Sequence, residues 1–284
     1  PIPVEPAESL TDDQDGGQAV AGDDGSVIDV LVVYTAASKN RYGGRTGIEA
    51  VIDLALAETN QAYTKSQINT QLSLAATAEV SYVESGSMVE DLYRLQRKND
   101  GYLESVHQWR DTYAADMVVL IQEAKDYCGI AFLMTDLAHS FESHAFSVVD
   151  SDCATGYYSF GHELGHNMGS AHDRQNGGSA LFNYSYGYWA PDYSFRTIMA
   201  YNCPGGCIRV QRFSNPDVLY NGQPTGIRYS SNPSNAANNA RSINEARLTV
   251  ANWRDSPTPR LAAPTSLSAV AQPPTQIHLS WQDN

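Results

Sequence analysis

No run of this sequence approaches the roughly 18 consecutive apolar residues that a membrane-spanning helix needs. Lysine is nearly absent, with four in 284 residues, and acidic residues outnumber basic ones 32 to 18, for a net charge of −14. Repulsion excludes nucleic acid or an anionic membrane surface as the partner of such a chain. The charge is read more simply as a means of staying soluble. The start carries no basic-then-apolar signal peptide, so the sequence reads as an already processed form. Internal repeats are absent. There are only four cysteines, Cys128, Cys153, Cys203 and Cys207. Cys203-Pro204-Gly205-Gly206-Cys207 suggests a metal knuckle, but its spacing is one residue longer than the common Cys-x-x-Cys pair. Two disulfides in a secreted enzyme fit the even count better.

What is present suffices for a full core of about 200 residues or more, since 42% of the chain is hydrophobic. Residues 1–26 form an acidic leader, expected to be solvated: residues 1–25 hold seven carboxylates, three prolines and no basic residue. Val27 to Tyr34 is a β-branched apolar run suited to a strand covered on both faces. Ile48, Val51, Ile52, Ala55, Thr59, Ala62 and Tyr63 then recur at helical spacing. Thr70 to Val83 reads as a second strand, and Met88 to Tyr113 as helix broken near Asn99-Asp100-Gly101. Asp116 to Gln122 is a third buried strand, with two shorter runs at Gly129–Met134 and Ala145–Val149. Strands alternating with helices predict a twisted, mainly parallel sheet, an α/β arrangement. Gly177 to Pro191 is aromatic and glycine-rich without periodicity, which predicts a loop-built lower part. Asn235 to Arg254 closes this region as a last helix, with Ala236, Ala240, Ile243, Ala246, Val250 and Trp253 on one side. A proline-marked linker follows at 255–261.

The most specific segment is His162-Glu163-Leu164-Gly165-His166-Asn167-Met168-Gly169-Ser170-Ala171-His172. Residues four apart share a helix face, so His162 and His166 can reach one metal. Glu163 lies on that side too, where a carboxylate can contact a zinc-bound water without being a ligand. Gly169 can take a positive φ and turn the chain back, so that His172 supplies a third nitrogen. Three protein ligands and an open fourth position make a catalytic zinc site rather than a structural one.

This motif resembles that of the metzincin metallopeptidases, and Asp173 directly after His172 is similar to the adamalysin (reprolysin) branch. Ser194-Phe195-Arg196-Thr197-Ile198-Met199-Ala200-Tyr201 resembles the methionine turn such enzymes carry beneath the zinc, 27 residues after His172. Tyr201, two residues past Met199, is similar to the astacin and serralysin branches, where a tyrosine can approach the metal. The resemblance covers about 28–254 in order of elements. It implies a five-stranded, mostly parallel sheet with one antiparallel edge strand, a long zinc-binding helix and an irregular C-terminal subdomain ending in a helix. It further implies that the edge strand, Ile130-Ala131-Phe132-Leu133, holds extended substrate by main-chain pairing. In that sheet Cys128 precedes the edge strand and Cys153 follows its antiparallel neighbour, so a Cys128–Cys153 disulfide is implied, with Cys203–Cys207 left to close a tight loop. Residues 262–284 resemble the opening two strands of a fibronectin type III domain, too short to form that sandwich alone.

The implied reaction is peptide-bond hydrolysis by a secreted, monomeric zinc endopeptidase acting on proteins or peptides, with Glu163 as acid–base group. Met199 is expected as an apolar floor under the imidazoles. Asp173 is expected to buttress the methionine turn through hydrogen bonds, and Tyr201 to donate to the oxyanion. Calcium has no support in the sequence. Arg209 and Arg212 fall where metzincins build the pocket for the residue after the cut, and a cationic wall there would favour acidic side chains, although two close arginines are ordinarily just solvated. Asp23 or Asp24 of the leader is the candidate for a zinc-blocking ligand. His107, His139, His144 and His278 are read as structural or exposed, and Tyr157, Tyr158, Tyr184, Tyr186 and Tyr188 as packing. Two other readings are a catalytically silent zinc-bearing adhesion or toxin-binding module, against which the intact Glu163 argues, and a zinc hydrolase of a small amide, against which the edge strand argues.

Overall fold

A computed structural model describes residues 2–3, 27–254, 265–272 and 276–282. Ile2–Pro3 forms the short strand β1, and β2 follows at Val27–Tyr34. Next come helices α1 (Ala36–Arg41) and α2 (Arg45–Lys65), β3 (Gln71–Glu79), α3 (Met88–Gln96) and α4 (Glu104–Thr112). The strands β4 (Met117–Gln122), β5 (Gly129–Leu133) and β6 (Phe146–Asp150) complete the main sheet. Its order is β1-β5-β6-β4-β2-β3, with β5 antiparallel to β6 and the other neighbours parallel. The five strands from β5 to β3 are the sheet expected from sequence.

Every residue of β2 and β4 is buried, as strands covered on both faces require. Helices α2 and α5 (Ser159–Asn167) pack on each other and on β3, β5 and β6, while α3 and α4 lie against β5, β6 and β2. The start of α3 is marked by a capping serine, whose Oγ accepts from the Glu90 amide. The helical stretch over 88–113 is broken near Asn99-Asp100-Gly101 as expected, with Asn99, Gly101 and Leu103 all at positive φ between the two helices.

Below α5 the strands shrink to two or three residues. They are β7 (Ala171–Asp173), β8 (Tyr186–Gly187), β9 (Phe195–Arg196), β10 (Ile208–Arg209), β11 (Leu219–Tyr220) and β12 (Gln223–Pro224). This lower part has a small core of its own, in which Ala171, Tyr186, Tyr188, Phe195, Val210 and Ala237 meet. The last helix, α6, spans Asn239–Val250, and the six apolar residues assigned to one side of it are all buried. It is shorter than 235–254 because Pro233–Asn235 forms a separate 3-10 turn. Thr265–Gln272 (β13) and Gln276–Gln282 (β14) pair antiparallel.

The leader, expected to be solvated throughout, contributes Ile2–Pro3 to the sheet, beside Phe132 and Leu133 of β5. Asp23, Asp24 and the linker 255–261 lie outside the described residues.

Candidate active site

Helix α5 runs through the interior with all nine residues buried. It is shorter than the long helix expected, and both ends have visible causes. Tyr158, at φ 62°, turns the chain into it. At the other end the Ser170 amide donates to the Gly165 carbonyl and the Gly169 amide to that of His166, with Gly169 at φ +80°. That is the paired closure of a Schellman motif, for which glycine is the low-cost residue. Asn167 Nδ2 donates to the carbonyls of Phe132 and Phe146, fixing α5 to β5 and β6. Gly161 lets it approach α2, since a Cβ there would stand 2.9 Å from Thr59 Oγ1.

The turn at Gly169 delivers His172 on β7, opposite the two helical histidines. The three Nε2 atoms lie 3.1–3.2 Å from one another. Nδ1 of His162 bonds the Ile198 carbonyl at 2.8 Å, and Nδ1 of His166 the Ser170 carbonyl at 2.6 Å. Those carbonyls can only accept, so both rings carry their proton on Nδ1 and turn a lone pair inward on Nε2. Lone pairs facing each other at such distances repel unless a cation lies between them. Zinc–nitrogen bonds of about 2.0–2.1 Å at the tetrahedral angle separate ligand nitrogens by about 3.3 Å. The trio fits that ion. Burial holds His162 and His166 well below the ordinary imidazole range and brings His172 down to about 3, so all three stay neutral.

Glu163 is buried beside them, and burial pushes its carboxyl up to about 8 while the Arg209 charge pulls the other way. A dication among the histidines would lower it further. Its place depends on Gly129 at the start of β5, where a Cβ would lie 2.5 Å from Glu163 Oε1. Gly165 plays the same part for Met199, since a Cβ there would meet Sδ at 2.7 Å. Fully buried Met199 thus lies directly under the helix. The turn around it is pinned by the Ile198 amide donating to the Arg212 carbonyl, and by Asp173, whose Oδ2 accepts from the Tyr201 amide at 3.0 Å. The ring of Tyr201 lies tilted against that of His172, centroids 4.0 Å and planes 37° apart, and the residue is 46% exposed.

The three histidines, Glu163, Gly129 and Tyr201 line a cleft of about 660 Å³ that also includes Tyr127, Ile130, Tyr157, Arg196 and Arg209. Of the edge strand, Gly129 and Ile130 reach the cleft, whereas β1 covers the edge at Phe132 and Leu133. Disulfides join Cys128 to Cys153 and Cys203 to Cys207. The first ties the end of β5 nearest Glu163 to the segment leading into α5, and the second closes the loop between Tyr201 and Arg209. The two arginines read together from sequence part company. Arg209 lines the cleft, while the Arg212 guanidinium lies over the Tyr220 ring. Tyr157, read as packing, is a wall of the cleft. The roles of Gly129, Gly165 and Arg196 escaped the sequence reading, and only Gly165, inside the histidine motif, carried any signal.

A buried trio of neutral imidazoles with a carboxylate alongside, under a mixed sheet with one antiparallel strand, is the arrangement of a metal-dependent peptidase. The chain belongs to metallopeptidase family M12B, reprolysin-like, which residues 25–230 match. It is 40% identical over 230 residues to a peptidyl-Asp metalloendopeptidase of Xanthomonas campestris pv. campestris, covering 81% of this chain and 52% of that one. The peptidyl-Asp metalloendopeptidase of Stenotrophomonas maltophilia is also 40% identical, over 233 residues, with 81% and 53% covered. That of Pseudomonas fragi is 32% identical over 172 residues, 60% of this chain and 91% of its own length. The chain spans about half the length of the first two relatives. A solved structure described as a chaperone-substrate complex superimposes with a TM-score of 0.61 at 19% identity, covering 81% of this chain and 39% of that one, and so shares the fold.

Proposed function

We propose that residues 27–254 form a zinc endopeptidase domain that cuts extended peptides beside an aspartate, with Glu163 as its acid–base group. The observation that carries this reading is the convergence of three inward-facing Nε2 atoms, 3.1–3.2 Å apart, next to one buried carboxylate in an open cleft. His162, His166 and His172 would hold the zinc, which would supply a Lewis acid for the water and the scissile carbonyl. Glu163 takes the proton of the attacking water and delivers it to the leaving amine. Gly129 keeps the space that this carboxylate needs, and Gly129–Ala131 offers backbone to the substrate. Tyr201, whose ring lies against that of His172 within the cleft, donates a hydrogen bond from its phenol to the developing oxyanion. The preference for aspartate follows the names of the relatives and the arginine in the cleft. The two disulfides suit an oxidising compartment, which supports secretion. The β13–β14 hairpin supports a fibronectin type III start at 262–284, useful for attachment to a surface.

Cleavage-site profiling on a peptide mixture tests this directly. The wild type should cut internal bonds next to aspartate, with activity lost on chelation and restored by zinc. Cleavage that survives chelation would refute it. For Tyr201, the Tyr201→Phe variant keeps the ring and should lose roughly 2.7–4 kcal/mol of transition-state stabilisation in kcat with KM little changed. Unaltered turnover would leave Tyr201 as a packing residue.

A further inference from the structure

Two arginines stand at the cleft without an ion-pair partner among the described residues. Arg196 and Arg209 are direct partners in the β9–β10 pair, so two like charges sit side by side. Both line the cleft. Arg196 is only 3% exposed, donates through Nη1 to the Ala200 carbonyl and through Nη2 to Tyr157 Oη, and has a buried Nε without a partner. Arg209 donates through Nη1 to the Tyr157 carbonyl, lies over the Tyr157 ring at 4.5 Å, and also has a buried Nε without a partner. Among the described residues every ion pair lies elsewhere, on Lys39, Arg41, Arg45, Arg94, Arg228, Arg241 and Arg254.

Acidic residues are plentiful, 32 in the chain, so the lack of an ion-pair partner for these two arginines is a property of this place. Charges facing each other on adjacent strands destabilise, and a buried guanidinium without a counter-ion is costly. Burial and the Arg196 charge bring Arg209 down to about 10, which still leaves it cationic at neutral pH. With a zinc ion nearby the cleft would hold three cationic centres against one carboxylate, Glu163. An occupant of the cleft that carries an anion would supply the missing charge. A guanidinium fork suits a carboxylate, which it can grip through two parallel hydrogen bonds. The Cys203–Cys207 disulfide ends two residues before Arg209 and restrains the loop that leads to it.

We infer that Arg209 is the specificity-determining residue, its fork gripping the side-chain carboxylate of an acidic residue within the bound peptide, with Arg196 and Tyr157 holding the fork in position. The inference rests on the peptidase reading above. A carboxylate could equally come from the end of a peptide, so the test separates the two sources.

Pairs of amidated peptides differing only by Asp or Asn beside the cut are compared by kcat and KM, with zinc content and melting temperature recorded for each variant. The wild type should prefer Asp strongly. Arg209→Met should lower cleavage of the Asp peptide by about tenfold to a hundredfold, the range for losing hydrogen bonds to a charged group, while the Asn peptide changes little. Arg209→Lys should restore part of the preference, and Arg212→Met should leave it whole. An unchanged Asp-to-Asn ratio in Arg209→Met, or in Arg209→Lys if the first variant does not fold, overturns the assignment. So does a wild-type preference that appears only with a free C-terminal carboxylate. If the wild type cleaves nothing, the peptidase reading fails separately. Binding of the same peptides to Glu163→Ala, with and without Arg209→Met, then still decides the inference: equal affinity of the two proteins for the Asp peptide overturns it.

Discussion

Residues 27–168 satisfy their backbone with long ladders and helices, and the side chains of β2 and β4 are free to fill a common core. Residues 169–254 have strands of two or three residues before α6, and there polar side chains hold the backbone instead. Ser214 Oγ donates to the Tyr186 carbonyl, Thr225 Oγ1 to that of Asn215, Arg174 Nε to that of Ala236, and Thr197 Oγ1 accepts from the Tyr188 amide. The metal site lies on the seam. Helix α5 brings His162, Glu163 and His166 from the first region, and the second returns His172, Asp173, Met199, Tyr201 and Arg209. The first region therefore resists change through volume and the second through individual hydrogen bonds, so the two should fail in different ways.

The sharpest break in that contrast is Gly129→Ala, a volume change in the first region that strikes the chemistry. Its Cβ would stand 2.5 Å from Glu163 Oε1. Misplacing a reacting group by about an ångström costs about 100-fold in rate. We expect kcat to fall by that order with zinc content unchanged, read by steady-state kinetics and elemental analysis. In the second region, Asp173→Ala removes the acceptor for the amides of Gln175 and Tyr201 and for Asn176 Nδ2. A loss of about 1–3 kcal/mol of unfolding free energy should follow in denaturant titration. A neutral result there would show that the lower region does not depend on its polar contacts.

The first region has one polar liability of its own. Asp116 is buried and accepts from the amides of Asp29 and Arg254, yet burial raises its carboxyl from 3.8 to about 8. The folded protein thus keeps a proton that the unfolded chain releases near pH 4. This stabilisation is full below that pH and is lost as pH rises toward about 8. Wild-type stability should decline across the window by up to about 1.4 kcal/mol per pH unit more than that of Asp116→Asn. Parallel profiles for the two proteins would remove Asp116 from the account.

The same contrast explains what could be read from sequence. The strands at Val27–Tyr34 and Met117–Gln122 announce themselves as apolar runs, and the spacing of His162, His166 and His172 already brings three imidazoles to one place before any fold is known. Gly129 is silent, because its partner Glu163 is 34 residues away and the contact exists only once α5 crosses β5. Arg209 and Arg212 look alike in sequence. They differ because Arg209 pairs with Arg196 across strands of two residues each, too short to leave a periodic signal. Ile2–Pro3 was hidden for a similar reason, in a segment whose composition argues for solvation.

The central claim is that the three histidines hold the metal while Glu163 moves the proton. Zinc content and peptide cleavage measured together on Glu163→Ala test it most directly. The account predicts a full complement of zinc with the rate reduced by several orders of magnitude, since Glu163 stands beside the metal site without being part of it. Cleavage near the wild-type rate, or loss of the zinc itself, would contradict it.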